Sequence, residues 1–509
     1  MPHSFTDGDI IYADQINENF EYLLGTSKSV SVDCSSSGVG INEAITKGYN
    51  HFKISGTCQE NIDIDLSNYR SNRVLFFEGA NANAVDKIQD NSSGDNNVIN
   101  IDNGSISVFI INLTISGGNR GINVSDKTML GVYGSRIEGY KDIGIASWSN
   151  TVVDVKNVVI DGGNVGKMGI RIGGNSNGII EDSTVENNTS DGIGVYSSSD
   201  LWMGTTILQN NGDNGIEVYN SCHIYLNEGV RLINNNNDGV SIGRNSSARI
   251  ENIEITSSGN NGIRLHLGTS ARIDETLIEG GKTGVRVSNN STVKIFGSKI
   301  TGYSRIGIEV DRNSSAGIGN DWDQDSYNLS QRTDYGNTLD GTALSGVSVE
   351  EWQTGIQVSE SSTIQLHRNL IENNSGKGIW VSENSVIELG GGNIIQNNKH
   401  TESDGEVDGT GIELRSGSTL EMWSYDQERE PNTITGNGEY AFRAEGSHLD
   451  LRGGDDGNTQ NNRLVISGHQ TGIRASKGSK VTLERVDVKD NINRGIRISA
   501  NSVLNVYDG

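Results

Sequence analysis

The chain has 509 residues, a formal net charge of -25, 66 Gly, 2 Pro and 33% hydrophobic residues. The acidic balance argues against nucleic-acid partners, and no apolar run approaches the roughly 18 residues that a membrane span needs. The low hydrophobic content would suit a disordered chain, but the Ile, Val and Leu residues are regularly placed. We therefore expect them to be buried in a long repeat array, with no membrane insertion.

Residues 1–30 form a predicted N-terminal arm. In "PHSFTDGDIIYADQINENFEYL", Ile16, Phe20, Leu23 and Leu24 fall on one face of a short amphipathic helix. Capping the first coil is the favoured role of that face, because an open coil end exposes unpaired strand edges. Joining partner chains is the alternative.

Residues 31–66 are predicted to hold an N-terminal cap and the first strands. Cys34 and Cys58 frame a short helix, Ile41 to Lys47, between two strand-like runs. We expect a disulfide that closes this segment, with two reduced, buried thiols as the alternative. A disulfide would indicate an oxidising compartment.

A repeat occupies residues 67–509. Gly followed by a branched apolar residue recurs at intervals of 22 to 25 residues in the first part of the array. Within each repeat the apolar residues alternate with period two, as in Val285 and Val287, which indicates strands. Asn-rich corners, such as those at 186–188, 234–237 and 372–374, suit the sharp turns between strands because Asn tolerates left-handed backbone. The positions of the repeated Gly are 121, 144, 169, 192, 215, 239, 262, 284, 307, 355, 378, 411, 472 and 495.

A column of small polar residues lies seven positions after each repeated Gly. Such residues, stacked from turn to turn, can pass hydrogen bonds along the axis. Cys222 occupies this column. We favour the interpretation that it is a small side chain in place of Ser over the interpretation that it is a catalytic thiol. The column contains Thr128, Thr151, Ser176, Ser199, Cys222, Ser246, Thr269, Ser291, Ser314, Ser362, Ser385, Ser418, Ser479 and Ser502.

The repeat resembles the coils of the right-handed parallel β-helix superfamily, the fold of pectate lyases, over roughly residues 60–509. The resemblance implies an all-β solenoid with three strands per coil of about 23 residues, preceded by a small helical and disulfide-bonded cap. The opening segment resembles leaders of secreted or phage-borne β-helix proteins. It implies an extracellular location or the surface of a phage virion.

Four interruptions of the repeat are candidate functional loops, because loops on a rigid scaffold commonly carry function. Segments 320–335, 424–431 and 453–462 each follow the second strand of a coil, so they should project from one side. Segment 399–410 uses a different corner and is expected to form an opposing wall.

These loops carry the residue types of a carbohydrate site. Aromatic faces stack on sugar rings, which makes Trp322, Tyr327, Trp423 and Tyr425 the candidate substrate-binding residues. Neighbouring carboxylates bind hydroxyls or act as acid and base. The alternative is that the aromatics cover exposed core and that the acids are solvated. The candidate catalytic residues are Asp426, Glu428, Arg429, Asp455 and Asp456.

The reaction type stays open. A glycoside hydrolase needs two carboxylates, whereas a lyase needs a base and a cation, for which Arg429 and Lys399 are nearby. The chain matches none of the catalytic motifs of pectate lyases, alginate epimerases or polygalacturonases, which lowers the expectation of an enzyme. No cofactor is indicated except a calcium ion.

A calcium site is suggested by Asp321, Asp323 and Asp325, which stand at alternate positions of "DWDQD". An EF-hand would need Gly at position 326 and Glu at position 332, but the chain has Ser326 and Arg332. Only a generic calcium site remains.

Two functions compete. The favoured one is an extracellular or virion-borne polysaccharide-binding β-helix that acts as a lyase or hydrolase if it is catalytic. The alternative is a non-catalytic structural or adhesive rod. The segment "ANSVLNVYDG" stops after one strand of a coil without an evident cap. This leaves homo-oligomers open, either as trimers or as end-to-end stacks.

Overall fold

The computed structural model describes residues 28–35, 40–65, 74–81, 84–102, 105–319, 337–342, 353–401, 407–422, 432–453 and 463–507. The chain divides into two compact units, Met1–Asp213 and Asn214–Gly509, called here the N-terminal and C-terminal units. In each unit, strands of successive turns pair in parallel and build three sheets. Sheet 1 contains the strands at the repeated Gly positions, sheet 2 contains the next strand of each turn, and sheet 3 contains the last.

The strands of the N-terminal unit are short and follow each other around the coil. Those of sheet 1 are Ile62–Asp65, Ile99–Asp102, Arg120–Val124, Ile143–Ser147, Met168–Gly173 and Ile193–Tyr196. Those of sheet 2 are Ser29–Asp33, His51–Ser55, Val74–Gly79, Ser107–Ile111, Met129–Tyr133, Val152–Lys156, Asn177–Glu181 and Asp200–Gly204. Those of sheet 3 are Thr57–Gln59, Asp86–Gln89, Leu113–Ser116, Arg136–Glu138, Val159–Asp161, Thr184–Glu186 and Ile207–Gln209.

The C-terminal unit repeats this order. Its sheet 1 strands are Ile216–Tyr219, Val240–Gly243, Asn261–His266, Thr283–Ser288, Ile306–Val310, Thr354–Val358, Lys377–Val381, Thr410–Arg415, Tyr440–Glu445, Thr471–Ser476 and Arg494–Ile498. Its sheet 2 strands are His223–Leu226, Ser247–Glu251, Ser270–Asp274, Thr292–Phe296, Ser315–Gly319, Thr363–His367, Val386–Leu389, Thr419–Met422, His448–Arg452, Lys480–Glu484 and Val503–Tyr507. Its sheet 3 strands are Arg231–Ile233, Glu254–Thr256, Leu277–Glu279, Lys299–Thr301, Thr338–Asp340, Leu370–Glu372, Ile394–Gln396, Thr433–Thr435, Leu464–Ser467 and Val486–Val488.

The core consists of aliphatic columns that the period-two pattern predicts. Ile263 pairs with Val285, and Val285 pairs with Ile308, on successive turns of sheet 1. All three side chains are fully buried. The all-β parallel solenoid with three strands per turn is therefore confirmed.

The polar column is also confirmed as a line of hydrogen bonds between turns. The backbone N–H of Thr151 donates to Ser176 Oγ at 3.1 Å, and that of Ser176 donates to Ser199 Oγ at 3.1 Å. In the C-terminal unit, Thr269 N donates to Ser291 Oγ at 3.2 Å. Each hydroxyl thus satisfies a buried amide of the preceding turn, which would otherwise cost free energy.

Cys222 takes the place of a serine in this column. Its side chain is buried, and Sγ lies 3.3 Å from the carbonyl oxygen of Tyr219. Its own N–H donates to Ser246 Oγ at 3.1 Å. This environment fits the structural role that the column predicts.

Asparagines form the corners, as predicted. Asn187, Asn234 and Asn373 have φ values of 57°, 53° and 59°, in the left-handed region that Asn tolerates best among non-glycine residues.

Two further sets of buried asparagines stack into ladders in the C-terminal unit. Their amide groups donate Nδ2–H to Oδ1 of the next turn at 2.7 to 3.1 Å. One ladder precedes the strands of sheet 3 and contains Asn337, Asn369, Asn393 and Asn432. The other follows sheet 3 and contains Asn374, Asn398 and Asn437.

The predicted N-terminal cap has a helix and a disulfide. Cys34 and Cys58 are disulfide-bonded, with a Cα–Cα distance of 4.9 Å, and the helix α1 runs Ile41–Thr46. The carboxylate of Glu60 accepts the N–H groups at the start of α1, from Ile41 at 2.8 Å. The predicted amphipathic helix in residues 1–30 lies outside the described residues. No helix in the described ranges is long and apolar enough to cross a membrane.

Candidate functional site

The strands that flank the predicted insertions show which corner each insertion occupies. Three connections leave a strand of sheet 2 and return to a strand of sheet 3, whereas the fourth joins sheet 3 to sheet 1. The fourth contains a small antiparallel hairpin of His400–Thr401 and Val407–Asp408. The strands before and after the first three are Ser315–Gly319 and Thr338–Asp340, Thr419–Met422 and Thr433–Thr435, and His448–Arg452 and Leu464–Ser467.

The predicted site residues themselves lie outside the described residues. Their proximity to one another therefore stays a prediction. They are the predicted sugar-stacking residues Trp322, Tyr327, Trp423 and Tyr425, the predicted catalytic residues Asp426, Glu428, Arg429, Asp455 and Asp456, and the predicted calcium ligands Asp321, Asp323 and Asp325.

Both ends of the insertion that carries Trp322 are tightly packed. It departs after Gly319, whose φ is +100° and where a Cβ would collide with the carbonyl oxygen of His367, so only glycine fits. It returns at Asn337, a fully buried residue whose Oδ1 accepts the N–H of Ser298 at 2.8 Å. The scaffold therefore fixes where this loop begins and ends.

A groove of about 590 Å³ lies on the outer face of sheet 2, on the strand that leads into this insertion and on its neighbours. We call it the sheet 2 groove. Its lining combines small apolar side chains with hydroxyl groups, and two cations lie at one side. It consists of Ala248, Ser270, Ala271, Arg272, Thr292, Val293, Lys294, Ser315, Ala316, Gly317, Thr363 and Gln365.

Two outward columns form the sheet 2 groove. One column presents hydroxyl groups on four successive turns, from Ser270, Thr292, Ser315 and Thr363. The hydroxyls repeat at the spacing of neighbouring strands, about 4.8 Å. They offer donors and acceptors in a line along the axis of the coil.

The second column carries longer side chains but is interrupted by a glycine. Arg272 pairs with Lys294, Lys294 with Gly317, and Gly317 with Gln365. A Cβ at Gly317 would meet only Lys294 Cγ, at 4.0 Å, so the space above this residue is open. The gap between Lys294 and Gln365 is therefore the result of a missing side chain.

Neighbouring groups orient two polar side chains near the gap, those of Arg272 and Gln365. Arg272 donates Nε–H to Asp274 Oδ2 at 2.7 Å, and its guanidinium lies 4.8 Å from the ring centroid of Phe296. Gln365 donates Nε2–H to Glu388 Oε2 at 2.7 Å. Oriented side chains lose less conformational entropy when a ligand binds.

Sequence reasoning missed the sheet 2 groove. Its signal is "SAGIG" at 315–319, where the outward position that holds a long side chain in neighbouring turns is Gly317. The pattern of buried residues is unchanged there, so the interruption is visible only when outward columns are compared between turns.

The described lining of the groove contains no carboxylate. Across the part of the chain that the structure describes, no group of three or more His, Cys, Asp or Glu is arranged to hold a metal ion. The predicted calcium site concerns residues outside that part and stays a prediction.

The sequence profile described as "Right handed beta helix region" matches residues 97–229, 227–321 and 326–422. No curated protein sequence matches the chain closely enough to count as a relative.

Several solved structures share the type of fold at low identity. The periplasmic alginate epimerase AlgG is 11% identical, with a TM-score of 0.32 and coverage of 83% of this chain and 84% of that one. Bacteriophage phi29 gene product 12, in its pre-mature form, is 11% identical, with a TM-score of 0.41 and coverage of 98% and 75%. A double mutant of the tailspike protein of E. coli bacteriophage HK620 is 11% identical, with a TM-score of 0.31 and coverage of 91% and 75%. At this level the likeness concerns the fold and does not extend to a substrate.

Proposed function

Because the chain belongs to the family of right-handed β-helix regions, its outer faces are repeating columns of side chains, and we propose that the C-terminal unit uses one of them to bind a polysaccharide. The binding site is the sheet 2 groove. Trp322 and Tyr327, on the insertion that begins three residues after Gly317, supply the aromatic surface for stacking on a sugar ring.

The observation that carries this proposal is the repeated hydroxyl column beside an open gap. A polysaccharide is an extended chain of repeating units with hydroxyl groups along its length. A column of Ser and Thr that repeats with each turn presents hydrogen-bonding groups with a matching linear repeat. The cations Arg272 and Lys294 and the amide of Gln365 add donors around the gap.

The described lining favours binding over bond cleavage. Hydrolysis of a glycosidic bond needs two carboxyl groups, and the described lining offers none. Any catalytic groups would come from the neighbouring insertions, where Asp426, Glu428, Arg429, Asp455 and Asp456 are the candidates. Assays for new reducing ends and for ultraviolet absorption of unsaturated products would distinguish hydrolysis, elimination and binding alone.

An extracellular location, either secreted or on a phage virion, is part of the proposal. The Cys34–Cys58 disulfide supports it, because disulfides persist in oxidising compartments.

A structural or adhesive rod is the second candidate. Light scattering at several protein concentrations would detect trimers or end-to-end stacks.

A glycan array probed with the whole protein tests the proposed function. We expect binding to extended polysaccharides or to oligosaccharides of several units, with weak binding to single sugars. A protein that binds no glycan on a broad array, while remaining folded by circular dichroism, would contradict the proposal.

A further inference from the structure

The last turns of sheet 1 carry a row of arginines on their outer face. Arg443 pairs in register with Arg474, and Arg474 pairs with Arg497 on the following turn. Three cations therefore repeat at the strand spacing of about 4.8 Å. Arg494 lies on the same strand as Arg497, and both are exposed. We call Arg443, Arg474, Arg494 and Arg497 the arginine row.

The positive charge of this row is only partly neutralised. Arg443 is paired with Glu445, whose Oε1 lies 2.6 Å from its Nη2. Arg474 donates Nη1–H to the neutral hydroxyl of Tyr440 at 2.6 Å, and its buried Nε has no hydrogen-bond partner. Within the described residues, Arg474, Arg494 and Arg497 form no salt bridge.

Three members of the row, Arg474, Arg494 and Arg497, lie in a basic segment of an acidic chain. Residues 463–507 contain eight Lys and Arg residues and three Asp and Glu residues, whereas the whole chain has a net charge of -25. Cations held close together repel one another, so a cluster of arginines is unfavourable unless it binds a partner or remains well solvated. The exposed positions of Arg494 and Arg497 make these groups accessible to a ligand.

We propose that the arginine row is a second binding site, for a polysaccharide that carries carboxylate or sulfate groups. Arg binds such groups with two parallel hydrogen bonds, and a row of Arg binds several of them in sequence. This site is independent of the sheet 2 groove, because the row is on sheet 1. The local charge at this site is positive although the net charge of the whole chain is -25.

The spacing of the row favours a polysaccharide over a nucleic acid. Neighbouring strands are about 4.8 Å apart, which is close to the length of one pyranose ring in an extended chain. One charge per sugar would therefore meet one arginine per turn. Duplex DNA carries a phosphate about every 3.4 Å along each strand, and it would fall out of register with the row within a few turns.

Binding to immobilised polygalacturonate and dextran sulfate tests the proposal, with neutral dextran as the blank. The wild-type protein should bind at least one of the two acidic polymers and not neutral dextran. The double variant Arg474→Gln/Arg497→Gln should lose about 10-fold or more in affinity, since hydrogen bonds to charged groups are among the stronger ones. Polygalacturonate alone would identify carboxylate recognition, and dextran sulfate alone would identify sulfate recognition.

The matched control removes two exposed cations from the other sheets. The double variant Lys299→Gln/Lys480→Gln changes the net charge by the same amount but leaves sheet 1 intact. It should bind the acidic polymer nearly as well as the wild type. Equal losses in both double variants would show a non-specific charge effect and would overturn the proposal.

Two further measurements test whether the row prefers a polysaccharide to DNA and whether it binds independently of the sheet 2 groove. Short duplex DNA should compete weakly, and DNA that displaces the polymer with equal affinity would overturn the polysaccharide assignment. Gly317→Leu, which fills the sheet 2 groove, should leave binding to the arginine row unchanged. Loss of acidic-polymer binding in that variant would place the binding in the groove and would contradict a second site.

Discussion

Lys294 and Gly317 face outward at paired positions on adjacent turns of sheet 2, and the glycine opens a gap beside the lysine side chain. The nearest atom to a Cβ at position 317 would be Lys294 Cγ, at 4.0 Å. The pairing of the two strands continues through Gly317, so the buried side chains on either side of it keep their places in the core. A binding surface can therefore arise in a repeat protein when glycine replaces one long side chain on the outer face of a sheet.

The sugar-stacking role of the insertion at 320–335 is tested by Trp322→Ala. Removing the indole should lower glycan affinity by about 10-fold or more, because aromatic anchors commonly dominate binding energy. Isothermal titration calorimetry with the best glycan from the array measures the change. Trp202→Ala, on sheet 2 of the N-terminal unit, is the control and should bind normally. Unchanged affinity in Trp322→Ala would remove this residue from the site.

The asparagine ladder that follows sheet 3 should be essential for stability. The Oδ1 of Asn398 accepts Nδ2–H of Asn374 at 2.7 Å, and its own Nδ2–H is donated to Asn437 Oδ1 at 2.8 Å. Asn398→Leu leaves these buried partners unsatisfied, so we expect a loss of about 2–4 kcal/mol in unfolding free energy. Chemical denaturation measures the loss.

Asn236→Leu is the matched control for the ladder, because Asn236 is an exposed corner residue. Its unfolding free energy should change by less than about 0.5 kcal/mol. If Asn398→Leu were as stable as this control, the ladder would not contribute in the way described.

The N-terminal disulfide should stabilise the first turns. Cys34 and Cys58 are separated by 24 positions, and a loop of this size is expected to contribute about 3 kcal/mol through the unfolded state. Cys34→Ser/Cys58→Ser should therefore unfold at a lower denaturant concentration. Cys222→Ser is the control, and it should be nearly neutral because Ser occupies the same column on neighbouring turns. An equal effect of both changes would contradict the stabilising role of the disulfide.

The ion pairs of Glu445 predict a loss of stability in acid. Lys477 Nζ donates to Glu445 Oε2 at 2.7 Å, and this bond, with those from Arg443, lowers the pKa of Glu445 from 4.5 to about 2, although burial opposes the shift. Because the folded pKa lies below the unfolded one, the stabilisation is fully present above pH 4.5 and is lost as the pH falls towards 2.

Glu445→Gln should therefore lower the unfolding free energy at pH 7 by roughly 1–2 kcal/mol, a value reduced for the solvent exposure of Lys477. The difference from the wild type should shrink as the pH approaches 2, as measured by denaturation at several pH values. Glu43→Gln removes an exposed pair with Lys47 and is the control. A difference for Glu445→Gln that stayed constant across pH would contradict this assignment.

The core of the fold could be predicted from the sequence because its signals are repeated and local. Ile263, Val285 and Ile308 each follow a repeated Gly, and their alternation with polar residues specifies both the strand and the buried face. The serine column is similarly predictable, since a small polar residue recurs at one distance from each Gly. Burial at these positions depends only on the turn before and the turn after.

The site could be predicted only in part. The departure of insertions from one corner follows from their position after the second strand of a turn, as with the segment after Gly319. The sheet 2 groove depends instead on which outward residues meet across turns, and Lys294 and Gly317 are separated by 23 positions in sequence. The arginine row was missed for the same reason, because Arg443, Arg474 and Arg497 become neighbours only through the register of the turns.

The proposed polysaccharide-binding groove is tested most directly by filling it. Gly317→Leu places an apolar side chain in the gap without a backbone clash, and Glu421→Leu adds the same side chain three turns away in the same column. Both variants should unfold like the wild type. Titration calorimetry with the best array glycan should show an affinity loss of about 10-fold or more for Gly317→Leu and little change for Glu421→Leu. Wild-type affinity in a folded Gly317→Leu protein would contradict the sheet 2 groove as the binding site.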